Sequence, residues 1–519
     1  MKLYRGFATV GAMTMLSRVL GFVRDVLIAA VLGASSITDA FFVGFRVPNM
    51  FRRIFAEGAF NAAFIPLFTK RLHAEGQDSA REFAVRALSG LTFILVALTV
   101  LAEIAMPWLV LLLAPGFADD PDKFRLAVLL ARIAFPYLVF MSWVALYTGL
   151  LNALGRFAMA AFAPSLLNVV LIAVLLGLIA TGTGEQTIAG VALAWGVTVS
   201  GLLQVLVVAF AAARSGLLLK LERPTFTPDM KRLVALAVPG LIAGGMAQIT
   251  IVISTIIASL QDRVVSWLYY ADRIFQLPLG MIGVAVGVVL LPDLSHKLRS
   301  GDHDAVIESE NRALEFSLLV TLPAAVALFI ASFPIMRVLF ERGAFTAVDT
   351  QVTAAMLSAL ALGLPAYVLI KVLHPSFFAR EDTKTPMIYA GISMAANAAL
   401  CFVLFFLLGA VGIAIATSLS GWINVVLLAM ELRRRAEFIL DDAFRRAFLG
   451  IVLASAAMGA VLWWLAANLD PWFAPQRGIL VQLIALATLV AGGLLTYVAA
   501  GTLLGALKPR SLLKDLLGR

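Results

Sequence analysis

The sequence predicts an all-helical, polytopic membrane protein of about fourteen spans, and three features predict it. Of its 519 residues, 61% are hydrophobic and only 14% are charged. Its apolar runs are each about 20 residues or longer, enough to cross a bilayer as a helix and far too long for the strands of a membrane barrel. Its basic residues alternate between rich and poor loops, as membrane topology demands.

The fourteen segments are 7–31, 37–66, 84–114, 124–152, 160–181, 188–213, 233–259, 264–293, 312–339, 350–378, 386–408, 411–432, 447–468 and 480–506. The start, MKLYRGFATVGAMTML, has the make-up of a signal peptide but no small-residue cleavage site, so it reads as a retained first helix. One set of loops carries Lys70, Arg71, Arg81, Arg156, Arg214, Lys297, Arg380, Arg433 to Arg435 and both termini; the other carries little beyond Lys123, Arg263, Arg342 and Arg477. The bias is roughly 25 to 4, which places both termini in the cytoplasm. The same bias accounts for the net charge of +9 without nucleic acid. The single cysteine, Cys401, lies in an apolar run and excludes an internal disulfide.

The chain also repeats itself. LFTKRL after Pro66 recurs as LSHKL after Pro292, and the stretch ending at Asn168 recurs in the one ending at Asn397. Two parallel six-helix lobes follow, near 1–215 and 228–440, with two further helices at 447–506 outside the repeat.

Charge inside the spans is the functional signal. The first segment carries Arg18, Arg24 and Asp25; the second carries Asp39, Arg46, Arg52, Arg53 and Glu57. Each such group at bilayer depth costs about 2.5–3.5 kcal/mol, so a set of them implies a polar, charge-lined cavity. On a helical wheel Asp39, Arg46, Arg53 and Glu57 share an arc, Asn49 is near it, and Arg52 is well off it, although Pro48 weakens the register. Asp272, Arg273 and Gln276 lie in the eighth segment, and Lys371 and His374 in the tenth. If these lines converge, the cavity is positive in balance. Arginine predominates, and its planar fork suits phosphate. The competing reading is ion pairing between helices, with Arg52 and Arg53 as anchors at a helix end. His374 reads as a satisfied helix contact, Glu103 as a lone acid, and Arg125 and Arg132 as span-end residues. No GxxxxGK[ST] loop, HExxH or Cys/His cluster is present, so neither an ATP motor nor a zinc enzyme is indicated. A membrane-embedded glycosyltransferase or ligase would need carboxylates or a metal beside a long polar loop, which the chain lacks.

The motifs SRVLGFVRD, TDAFFVGFRVPNMFRRIFAEGAFNAAFIP, APGF at Ala114, FAPSLLN, WLYYADRIFQLPLGMIGVAVGVVLLP and HPSFFAREDTKTP together resemble the MurJ family of bacterial lipid II flippases, within the multidrug/oligosaccharidyl-lipid/polysaccharide exporter superfamily. The likeness runs from the first span to the last and is strongest over the first 70 residues. It implies two six-helix lobes around a central cavity and a hydrophobic groove on the last two helices. It implies lipid II as cargo, moved by alternating access from the cytoplasmic to the periplasmic leaflet of the inner membrane by a monomer that touches membrane lipids and no nucleic acid. The family's cavity positions fall on Arg18, Arg24, Arg52 and Arg273, with Arg46 where some relatives carry lysine, and on the acids Asp39 and Glu57. Asn49, Asp25 and Asp272 join them on the residue reading. Where the wheel favours Arg53, the resemblance favours Arg52. Gln276 stands where some relatives carry glutamate. The seventh and eleventh spans offer Ser254, Asn397 and Cys401 but no carboxylate, which speaks against a sodium site and for membrane potential or another ion gradient as driver; no cofactor is expected. The nearest alternatives are a sister exporter of another polyprenyl-linked glycan and a drug antiporter, and the latter would favour acids in its cavity.

Overall fold

The computed structural model describes residues 2–53, 60–225, 227–435, 437 and 439–507, without the side chains of 2–8, 60–62, 241–247, 281–289 and 303. Among these residues the chain is helical throughout, with no strand. It divides into two compact units, Met1–Ser266 and Trp267–Arg519.

The first unit contains α1 (Lys2–Leu32), α2 (Ser36–Arg52), α3 (Phe60–Ala74), α4 (Gln77–Leu113), α5 (Pro121–Ala134), α6 (Tyr137–Ala153), α7 (Phe157–Phe162), α8 (Ser165–Thr181), α9 (Gln186–Ala213) and α10 (Pro228–Ala258). The second contains most of α11 (Val264–Arg299), then α12 (His303–Ile330), α13 (Ser332–Phe340), α14 (Ala347–Ala361), α15 (Leu364–Phe378), α16 (Lys384–Leu408), α17 (Ala410–Arg434), α18 (Asp442–Leu469) and α19 (Ile479–Leu503). Among the described residues nine helices, or helix pairs in line, are long and apolar enough to cross a membrane, and two shorter apolar helices accompany them.

Each of the fourteen predicted segments is occupied by helix, but several are split. The segment 124–152 breaks before Pro136, 160–181 at Pro164, 312–339 at Ala331 and 350–378 at Gly363. Proline and glycine explain three of these: proline cannot donate to the preceding turn, and glycine loses the most entropy in a helix. Pro239 has no such effect, since α10 runs through it unbroken. The predicted segment 37–66 holds α2 and the start of α3, with 54–59 outside the described residues.

Within the first unit α1 packs on α7 and α8, α2 on α5, and α6 on α9, while α10 lies against α3 and α4. Within the second, α16 runs along α17, and the α18–α19 hairpin docks on α12 and α13. That hairpin buries Met458, Leu462, Ala485 and Leu489, and the Tyr497 hydroxyl donates to the Leu319 carbonyl at 2.6 Å.

The loops sort by end, as their charges require. In the first unit Ser36 donates to Asp262 and Lys123 pairs with Asp262, joining the first, third and seventh connections. At the other end Arg71 pairs with Asp229, and Arg81 donates to the Leu218 carbonyl. In the second unit Arg312 meets Asp441 and Arg435 meets Asp382 at the basic end, while Arg337 meets Asp470 at the other.

Gly116 sits in a 3-10 turn (Pro115–Asp119) directly on the end of α10, where its N–H donates to Ser259 Oγ at 3.1 Å. A Cβ there would strike the backbone of Ser259 and Leu260. Gly116→Ala is therefore expected to cost about 1–3 kcal/mol by overpacking. Ser259→Ala, which removes that hydrogen bond and the local one from Ser259 to the Ile256 carbonyl but leaves the packing intact, should cost about 1 kcal/mol. Thermal unfolding of the detergent-solubilised protein should rank wild type, Ser259→Ala and Gly116→Ala in that order.

Candidate functional site

The charged residues of the first unit fall into several groups. In α1, Arg24 is only 6% exposed and Asp25 is fully buried. Adjacent residues on a helix point about 100° apart, so the long guanidinium must fold back to reach its neighbour. It does so with two bonds, Nε to Asp25 Oδ1 at 2.9 Å and Nη2 to the same oxygen at 2.6 Å. Its Nη1 donates across to Asn168 Oδ1 on α8 at 2.9 Å. Asn168 in turn donates from Nδ2 to the Ser17 carbonyl at 3.0 Å. One asparagine thus joins two turns of α1 to α8. Arg18 is exposed on the same helix.

The repeat places Asn397 on α16 where Asn168 stands on α8. Asn397 is also buried, but its neighbours are neutral: Nδ2 donates to Ser420 Oγ at 3.2 Å, and the Cys401 thiol approaches Oδ1 at 3.8 Å.

Asp39 occupies a different group. Ser35 caps α2 by accepting from the Thr38 N–H, which sets Asp39 in the first turn. The carboxylate reaches the start of α11, accepting from the Arg263 N–H at 2.8 Å, the Ser266 N–H at 2.9 Å and the Ser266 hydroxyl at 2.5 Å. These are donors that a helix start leaves unpaired, and an anion is favoured there. Arg263 adopts φ +68°, a left-handed conformation that costs a non-glycine residue roughly 1–2 kcal/mol.

Lys123 completes the group. Asp120 caps α5 by accepting from the N–H groups of Asp122 and Lys123, with Pro121 in the first turn. The Lys123 ammonium is buried between Asp39 Oδ2 at 2.9 Å and Asp262 Oδ1 at 2.6 Å, over the face of Phe117 at 4.3 Å. Burial pushes the Asp262 carboxyl up, but the hydrogen bond and charge of Lys123, helped by Ser36 and Arg263, outweigh it and hold the group below its ordinary range.

Further along α2, Arg46 donates to Thr255 of α10, and Arg52 Nε donates to Asn49 Oδ1 at 3.0 Å. Arg53 is exposed at the helix end. Glu57 lies outside the described residues. In the second unit Asp272 accepts from Gln276, and Arg273 beside it is half-buried. Lys371 is half-buried on α15.

Two sequence expectations need correction. Glu103 is not a lone acid: Arg132 Nε lies 3.9 Å from its carboxylate and donates to its carbonyl at 3.1 Å, because α4 and α5 pack side by side. His374 is not satisfied: its Nε2 is buried without a hydrogen-bond partner among the described residues, and its ring lies against the apolar ring of Phe378 at 5.5 Å. Sequence reasoning also missed Lys123, Asp262 and Thr255. The acids flanking Lys123 in DDPDK hint at a structured turn, but nothing local points to Asp39 some 84 residues away.

Helices long and apolar enough to cross a bilayer, repeated along the chain, define a multi-spanning membrane protein. The fold alone is shared with a multidrug resistance MATE family transporter of the MOP superfamily in its inward-facing conformation, at TM-score 0.66 and 14% identity over 82% of this chain and 97% of that one. The family model "Lipid II flippase MurJ" matches residues 28–482. A Rhizobium tropici protein named "Probable lipid II flippase MurJ" is 45% identical over 506 residues, covering 97% of this chain and 95% of the relative. A solved structure titled "Lipid II flippase MurJ, inward closed conformation" matches at TM-score 0.76 and 27% identity, over 98% of this chain and 99% of that one. The chain belongs to the lipid II flippase MurJ family.

Removing the Lys123 charge strands two carboxylates, one of them fully buried. Lys123→Met should destabilise the protein by about 3–5 kcal/mol, and adding Asp39→Asn should recover part of the loss. Thermal unfolding reads both. Because the folded Asp262 carboxyl titrates below its unfolded value, its contribution is present at neutral pH and fades as pH falls below about 4. Asp262→Asn should flatten that part of the pH–stability curve, and an unchanged curve would exclude the ion pair as its source.

Proposed function

We propose that this chain carries lipid II from the cytoplasmic to the outer leaflet of the bacterial cytoplasmic membrane by alternating access. The observation that carries the proposal is the family match along nearly the whole chain, coupled to a guanidinium buried in the first span. Lipid II presents a pyrophosphate, a glycopeptide and a polyprenyl tail. Arginine binds phosphate oxygens in pairs and stays charged at any relevant pH. Arg18, Arg24, Arg46, Arg52 and Arg273, with Asn49, grip the pyrophosphate in this reading. Asp25, Glu57 and Asp272 hold those cations when cargo is absent, whereas Asp39, which the sequence placed with them, is taken up by Lys123 and the start of α11. Arg24 already has such a stand-in, since Asp25 and Asn168 occupy its donors. The lobes are 1–215 and 228–440, and the tail follows a groove on 447–506. Both termini are cytoplasmic, supported by the basic-loop bias. The monomer is driven by membrane potential or an ion gradient.

The deciding experiment is depletion of the native protein in cells, complementation with variants, and a leaflet-specific assay of lipid II exposure. Losing one charge-assisted contact of about 1.5–3 kcal/mol should lower transport ten- to a hundredfold for Arg24→Ala or Arg273→Ala, while both variants still insert into the membrane. Full exposure of lipid II in both strains would overturn the assignment of the cavity.

A further inference from the structure

At the basic-loop end of the first unit, Thr9 of α1, the α6–α7 turn and the last turn of α9 line an open, outward-facing cavity of about 590 Å³. Its walls are Leu151, Phe157, Met159 and Phe210, and it holds two cations, Arg156 and Arg214. The turn that carries Arg156 is fixed: Gly155 adopts φ +71°, and the Arg156 N–H closes back on the Leu151 carbonyl at 2.8 Å. Arg214 caps the end of α9, with its guanidinium 4.5 Å from the centre of the Phe210 ring.

Among the described residues neither guanidinium has a hydrogen bond or ion pair. At the same end Arg71 pairs with Asp229 and Arg86 with Glu82, so the field of those two cations is partly neutralised and that of Arg156 and Arg214 is not. The ends of α6 and α9 offset part of the charge, since each helix terminus supplies about half a negative charge. Two full positive charges exceed that. The remaining field faces a cavity whose apolar walls open outward, with Met159 46% and Phe210 54% exposed.

We propose that this cavity binds the phosphodiester of an anionic phospholipid, with Arg156 and Arg214 on the phosphate and the first acyl carbons on Phe157, Met159 and Phe210. Arginine forks match phosphate oxygens. Basic pockets between helices at the cytoplasmic boundary are suited to anionic headgroups. The volume lies within the range that holds a small organic ligand. A free phosphate shares the charge chemistry but has no use for the apolar walls. The site is separate from the Arg24 group and does not depend on the flippase reading.

The test uses the full-length protein, stripped of lipid in neutral detergent. It is titrated with dioleoylphosphatidylglycerol, dioleoylphosphatidylcholine or inorganic phosphate, and binding is read by native mass spectrometry and melting temperature. Phosphatidylglycerol should bind at least tenfold more tightly than phosphatidylcholine. Arg156→Gln/Arg214→Gln should weaken it about tenfold or more, and Arg156→Lys/Arg214→Lys should retain part of the preference. Arg86→Gln, which removes a paired cation away from the cavity, should bind as wild type does. Equal binding of the two lipids, or wild-type phosphatidylglycerol binding by the glutamine double variant, overturns the proposal. Competition by millimolar inorganic phosphate as strong as that by the lipid overturns the lipid as occupant. If the glutamine variant does not fold, the lipid preference of the wild type and of the lysine variant still decides.

Discussion

Charge placed inside an apolar helix bundle must find an internal partner, and this constraint shapes the rest of the molecule. Water is not at hand to solvate a stray guanidinium or carboxylate, and the cost of leaving one bare exceeds that of most packing defects. Arg24 meets the constraint through Asp25 and Asn168, and Asp39 through Lys123 and the first N–H groups of α11. Asp25 lies on the same helix as Arg24, but Asn168, Lys123 and the start of α11 come from other elements, so these charges also fix how those elements pack. Satisfying the electrostatics and assembling the helices of the first unit are one process.

The two solutions differ in kind. Asp39 is saturated by four donors, three of them from one short stretch at the start of α11. That arrangement suits a joint. Arg24 meets a carboxylate oxygen of Asp25 and the neutral amide of Asn168. A phosphate carries more charge than an amide oxygen and offers more acceptors than one carboxylate oxygen.

Much of the fold is legible in the sequence because hydrophobic length is a direct physical requirement of the bilayer. The segment starts near Ala347 and Lys384 follow from it, whereas the breaks at Pro164 and Gly363 fall inside predicted segments and do not. Pro239 shows the limit: within a membrane helix the freed carbonyl can be accommodated by neighbours, so a proline signals a break without requiring one. At the site, Arg24 and Asp25 are adjacent and their pairing can be read directly. The Asp39–Lys123 pair cannot, because it joins residues from two connections whose proximity depends on how α2 and α5 pack. Glu103 and Arg132 are hidden for the same reason. Asn168 is visible as a mark of the repeat, yet its task is not, since Asn397 at the matching position serves neutral partners.

Asn168 also has a mechanical consequence. Its amide holds the Ser17 carbonyl while its oxygen holds Arg24, so one side chain on α8 hooks α1 at two points seven residues apart. Sliding α1 along its axis by even one residue, about 1.5 Å, would stretch both bonds together. The pair therefore behaves as a ratchet tooth in its notch: α1 travels with α8 as one body, or it disengages completely.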